Sequence, residues 1–186
     1  MGVRLRLGGS PARSTGPDVL LRQARDVLRH EREVLGEPRR GRETEAEHAC
    51  RQRLVDQVDR ALAGPAEVFE ELARRLAARE WDDAAELYAA DVEITNRFSP
   101  DGPITSRGRD AVREFFTGLG GRLDSLTVID AALTPGADPE MLTAEFSFAA
   151  TAGGGGVHFS LPAVFVMRVR NGEIVASRDY IGPRQV

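Results

Sequence analysis

Two polar side chains in this sequence alternate with largely apolar ones on strand-like segments, and they are the candidates for chemistry: Asn96, and Asp179 where its face is the interior one. In residues 92–98, alternation puts Val92, Ile94, Asn96 and Phe98 on one face and Glu93, Thr95 and Arg97 on the other. In residues 173–181, Val175, Ser177, Asp179 and Ile181 oppose Ile174, Ala176, Arg178 and Tyr180, so periodicity allows either face to be interior. A carboxyl enclosed by apolar groups loses hydration. Its pKa then rises toward neutrality, where it can serve as a general acid or base. An amide beside it can hold a carbonyl oxygen or a water. The competing reading pairs Asp179 with Arg178 or Arg168 at the sheet surface and spends Asn96 on a bend or a neighbouring backbone group.

The elements that must position these groups follow from the same patterning. Strands are expected at 92–98, 125–133, 141–151, 157–170 and 173–181, and helices at 66–78, 81–90 and 109–119. Pro135-Gly136, the glycine run 153–156 and Asn171-Gly172 separate the last four strands, and Asn-Gly is a strong type I′ hairpin signal. Consecutive strands joined by short turns make an antiparallel meander, and the three helices can close one face of it. The fold class is therefore α+β, a curved sheet with helices across its open side and a cavity between them. Leu142, Ala144, Phe146, Phe148 and Ala150 share one strand face, and Phe159, Leu161, Ala163 and Phe165 share another. The expected lining is thus Ile94, Phe98, Phe146 and Phe148 together with Phe159, Leu161 and Ile181. Trp81 and Tyr88, placed on the second helix, are expected to pack against the sheet, and residues 98–103 to form the lip of the cavity.

Upstream, residues 1–17 are rich in Gly, Ser, Pro and Arg and are expected to be disordered. Residues 18–64 read as a helical extension of two amphipathic helices, one from Asp18 to the Gly36-Glu37-Pro38 break and one over 43–63. The second carries an apolar stripe through Ala46, Cys50, Leu54 and Val58. The remaining domain is 65–186.

Composition excludes several classes of function. The 186 residues carry a net charge of -4, which gives no general attraction for nucleic acid or an anionic membrane. All 25 basic residues are arginine, so this chain offers no lysine for a pyridoxal Schiff base, an amine-dependent aldolase or a Walker-type phosphate loop. His30, His48, Cys50 and His158 do not form a metal-ligand pattern, and neither metal nor cofactor is expected. One cysteine, no apolar secretion signal and no run near the roughly 20 residues of a membrane helix point to the cytoplasm. The outer sheet face, with Glu145, Ser147, Ser160, Val164 and Val166, suits a homodimer.

The segments Asn96-Arg97-Phe98, Gly108-Arg109-Asp110-Ala111-Val112, Val164-Phe165, Gly172-Glu173-Ile174 and Arg178-Asp179-Tyr180 resemble the limonene-epoxide-hydrolase and SnoaL-like polyketide cyclase group of the nuclear transport factor 2 superfamily. The resemblance covers about residues 66–183. It implies three helices on a strongly curved mixed or antiparallel sheet shaped as a cone, with Asp179 as the pocket acid and Asn96 as the water-holding amide. The sequence departs from the hydrolase pattern at Phe146 and Phe148, where a bridging arginine and a second aspartate are implied, and at Ile94, where a tyrosine is implied. What the resemblance implies is a small-molecule acid/base enzyme: a cyclase, isomerase or epoxide-opening hydrolase for an apolar, oxygen-bearing polyketide or terpenoid of secondary metabolism. The alternative is a ligand-binding or assembly protein using the same cavity without turnover.

Overall fold

The computed structural model describes residues 26, 27, 29, 30, 33, 34, 45–99 and 102–185. The chain divides into two compact units, residues 1–58 and 59–186. In the first, the described residues between 26 and 34 are helical, and the expected disordered stretch 1–17 lies outside the described residues. Helix α1, Glu45–Leu62, occupies most of the segment read as the second amphipathic helix. Along its stripe Val58 is buried, whereas Cys50 and Leu54 are exposed.

In the second unit α2, Pro65–Ala78, starts with proline in the first turn, where a missing N–H costs nothing. The Glu67 side chain turns back to accept the Gly64 N–H. Its buried residues Val68, Phe69, Leu72 and Leu76 recur at helical spacing and form one apolar stripe. Arg79 ends the helix in the left-handed conformation, φ 62°. Its guanidinium then donates to the carbonyls of Asp124 and Gly120 at 2.6 and 3.0 Å, fastening the helix end to a distant segment of the chain.

The expected second helix is much shorter than its alanine-rich sequence implied. Helix α3 is only Trp81–Ala85, and strand β1, Tyr88–Asn96, has already begun where the helix was expected to continue. The reason is tertiary. Tyr88 pairs with Ile174, Ile174 N–H donates to the Leu87 carbonyl at 2.8 Å, and Leu87, Tyr88 and Ala89 are all buried. That pairing outweighs the modest helix preference of Ala89 and Ala90. A short strand absent from the sequence reading, β2, Ile104–Arg107, follows and pairs antiparallel with β1 at the sheet edge.

Helix α4, Arg109–Gly120, begins after Gly108 and buries Val112 and Phe116. The meander is β3, Leu123–Pro135; β4, Met141–Ala152; β5, Val157–Arg170; and β6, Glu173–Ile181. The sheet order is β2-β1-β6-β5-β4-β3; only the β1–β6 pair is parallel. Asn171 and Gly172 take φ 52° and 73° in the β5–β6 turn, both positive as the Asn-Gly signal requires. The sheet is curved and unclosed, with bulges that bend it, one in β3 where Asp130 has φ 54°. Phe69 from α2 meets Phe146 from β4 at a 5.2 Å ring separation, so helix and sheet share one core.

Candidate functional site

Which face of β6 is interior is decided by a bulge. Arg168 pairs with Ala176 but the next residue, Val169, pairs with Ile174, so Val175 is an extra residue on β6. Ile174 therefore points inward on one side of the bulge, and Ser177, Asp179 and Ile181 point inward on the other, opposite Met167, Phe165 and Ala163. Arg178 is exposed, opposite Val166 in the register. Arg168 is held by Asp138 and Glu140 at 2.8 Å each. Neither arginine that could have paired with Asp179 at the surface does so.

Asp179 opens into a cavity of about 560 Å³. That size lies inside the usual range of small-molecule sites, and the walls are largely aliphatic and aromatic. Desolvation by these surroundings lifts the Asp179 pKa from 3.8 to about 6, against a smaller downward pull from the Ser177 hydroxyl, which donates to Oδ1. No arginine contributes to that shift.

Asn96 is the parallel neighbour of Asp179 in the β1–β6 register and lines the same cavity. Its Oδ1 accepts the Phe98 N–H at 3.1 Å, and the backbone N–H of Arg97 donates to the Asp179 carbonyl at 2.8 Å. One half of the amide thus closes a local turn, as the bend reading held, while its NH₂ remains available as a donor.

Of the residues expected to line the site, Ile94, Phe148, Phe159, Leu161 and Ile181 do so. Phe98 and Phe146 do not. The Asn96 turn ends β1, so alternation stops there and Phe98 projects outward, 65% exposed and edge-on to Tyr180 at 5.5 Å. Phe146 lies too deep: it is buried among Phe69, Phe148 and Phe165 and holds the cavity wall from behind.

Tyr88 is a site residue that the sequence reading missed, because it was assigned to a helix. At the start of β1 it lines the cavity, with its ring edge-on to Phe116 at 6.0 Å. Burial, and behind it the charge of Asp179, push its hydroxyl pKa upward, so it stays protonated as a hydrogen-bond donor. Its backbone is anchored by Arg109, whose Nε donates to the Tyr88 carbonyl while Nη1 and Nη2 pair with Glu86 and Glu173 at 3.0 and 2.8 Å. Among the described residues no group of three or more His, Cys, Asp or Glu is arranged to hold a metal ion. His158 is exposed.

A cone of sheet and helices around an acid–amide pair is the arrangement expected of one family, and the SnoaL-like domain matches residues 69–177, more than half of the chain. The chain belongs to the SnoaL-like domain family. Solved structures share this SnoaL-like fold. An epoxide hydrolase/cyclase-like enzyme, SalBIII, with a role in pyran ring formation in the polyether salinomycin, matches with a TM-score of 0.54 at 22% identity, over 68% of this chain and 93% of that one. A Mycobacterium tuberculosis protein in complex with estradiol-17beta-hemisuccinate gives 0.55 at 24% identity, over 63% and 93%. A nuclear transport factor 2-like protein of Anabaena variabilis gives 0.55 at 19% identity, over 67% and 91%. No curated protein sequence matches this SnoaL-like chain.

Proposed function

We propose that this SnoaL-like protein is a cofactor-independent acid/base enzyme of the cyclase or isomerase type, with Asp179 moving the proton. The observation that carries the reading is a carboxyl with a pKa of about 6 inside an apolar cavity that Asn96 and Tyr88 also line. At neutral pH such a carboxyl is mostly ionised but still basic enough to take a proton from carbon beside a carbonyl. Tyr88 and Asn96 donate to the oxygen on which negative charge then develops.

One carboxyl that takes a proton and returns it to another atom of the same substrate completes an isomerisation or an intramolecular aldol-type ring closure with no net change in composition. Opening an epoxide with water by the two-carboxylate route needs a second acid joined through an arginine. At the positions that the resemblance assigns to that pair stand Phe146, in the core, and Phe148, on the cavity wall. Ring closure or isomerisation is therefore favoured over hydrolysis. The substrate class that fits the walls is a polyketide- or terpenoid-like molecule with few oxygens, as in secondary metabolism. A homodimer formed through the outer sheet face completes the proposal. Among the described residues, no helix is long and apolar enough to cross a membrane.

The test is chromatographic mass spectrometry of small molecules from a producing strain that carries either the wild-type protein or folded Asp179→Asn. Loss of one product, with build-up of a precursor of the same mass, is expected. An unchanged profile overturns the catalytic reading and leaves the cavity as a binding site.

A further inference from the structure

The SnoaL-like cavity has two chemically different ends. In register, Asp179 faces Phe165, which faces Ala144. Leu123, just after Arg122, faces Ala152 at the other end of β4. Arg122 itself lines the cavity there. Its Nε is fixed by the Gly118 carbonyl at 3.0 Å, which aims the guanidinium while leaving its outer nitrogens available. At the same end Phe159 pairs with Ala150, and Arg184 lies over the Phe159 ring with its guanidinium carbon 4.2 Å from the centroid. The Ser160–Gln185 bridge, with two backbone hydrogen bonds of 2.9 Å, holds the segment that carries Arg184.

Among the described residues neither arginine has an ion-pair partner. The adjacent acid, Asp124, has Oδ2 on the Gly155 N–H at 2.8 Å. Several arginines of the unit are ion-paired, Arg75 with Glu71, Arg109 with Glu86 and Glu173, and Arg168 with Asp138 and Glu140, whereas Arg79 is spent on backbone carbonyls. An unpaired guanidinium on the wall of an apolar cavity, with a second one over the Phe159 ring that also lines it, is a recognition element for an anion, and such planar donor forks match a carboxylate.

We infer that Arg122 and Arg184 form a cationic rim that binds the carboxylate of an otherwise apolar ligand and points its other end toward Asp179. The ligand class is an amphipathic carboxylic acid. This rests on the proposed function for what happens at Asp179, but the recognition of the acid group stands independently of turnover.

The test uses fluorescence titration with two probes of one shape, 4-(1-pyrenyl)butanoic acid and its primary amide. The wild type is expected to bind the acid about tenfold more tightly than the amide, as a desolvated charge-assisted pair provides. That preference should shrink as ionic strength rises. The double variant Arg122→Gln/Arg184→Gln should bring the ratio to about one while the amide binds as before, which also shows that the cavity is intact. Asp179→Asn should leave the ratio unchanged, so a failure of catalysis and a failure of the rim are separable. Equal binding of acid and amide by the wild type, a preference that survives in the double variant, or no binding of either probe overturns the inference.

Discussion

Replacing Asp179 by asparagine should change the pH dependence of stability in a direction opposite to that of most carboxylates. The folded pKa is raised, from 3.8 to about 6. Below pH 3.8 the carboxyl is protonated whether folded or unfolded, and burial carries no ionic penalty. Above about 6 it is ionised in both states, and the folded state bears the full cost of holding that charge away from water. At about 1.4 kcal/mol per pKa unit, the rise amounts to about 3 kcal/mol, an upper figure because the cavity admits some solvent. The wild type should thus lose up to about 3 kcal/mol relative to Asp179→Asn between pH 3.5 and 7.5, with the change concentrated between 3.8 and 6. The assay is urea unfolding of both proteins at half-unit pH intervals. Taking the difference between them cancels other titrating groups, such as Glu71, which Arg74 and Arg75 hold down to about 2. A difference flat to within about 0.5 kcal/mol, or one that grows in the wild type's favour as pH rises, would refute burial of the carboxyl.

Three other substitutions separate chemistry from support. Tyr88→Phe keeps the ring against Phe116 but removes the cavity hydroxyl, and turnover should fall about 10²-fold with the unfolding midpoint nearly unchanged. Phe146→Ala removes the side chain that Phe69, Phe148 and Phe165 surround, and calorimetry or urea unfolding should register a loss of about 3–5 kcal/mol. Gly120→Ala would place a methyl 2.5 Å from the Trp81 indole nitrogen at the end of α4, and the same measurement should show about 1–3 kcal/mol of destabilisation with a changed tryptophan emission.

The four-strand meander and the apolar faces of β4 and β5 were legible in the sequence because alternation there is unbroken and the turns carry Gly and Asn at the positions that need them. Alternation fails wherever the backbone inserts or removes a residue from the ladder. In β6 the bulge at Val175 shifts the phase, so counting could not decide which face carried Asp179. At the end of β1 the Asn96 side chain closes a turn, and Phe98 leaves the face on which counting put it. Tyr88 escaped because Ala89 and Ala90 read as helix, whereas the contacts that pull the segment into the sheet come from Ile174, far along the chain. Strand β2 is too short and too exposed to leave a pattern of its own. A site assembled from β1 and β6 was therefore readable as a pair of residue types, while its third polar group required the fold.

Proton transfer in the cavity depends on the ionisation of one carboxyl, and the most direct measurement is a ¹³C NMR titration of the aspartate side-chain carbons, with the Asp179 resonance assigned by its absence in Asp179→Asn. A midpoint near 6 is the expected result. A midpoint at or below 3.8 would show the group to be solvated or paired, and would contradict both the buried site and the proton transfer built on it.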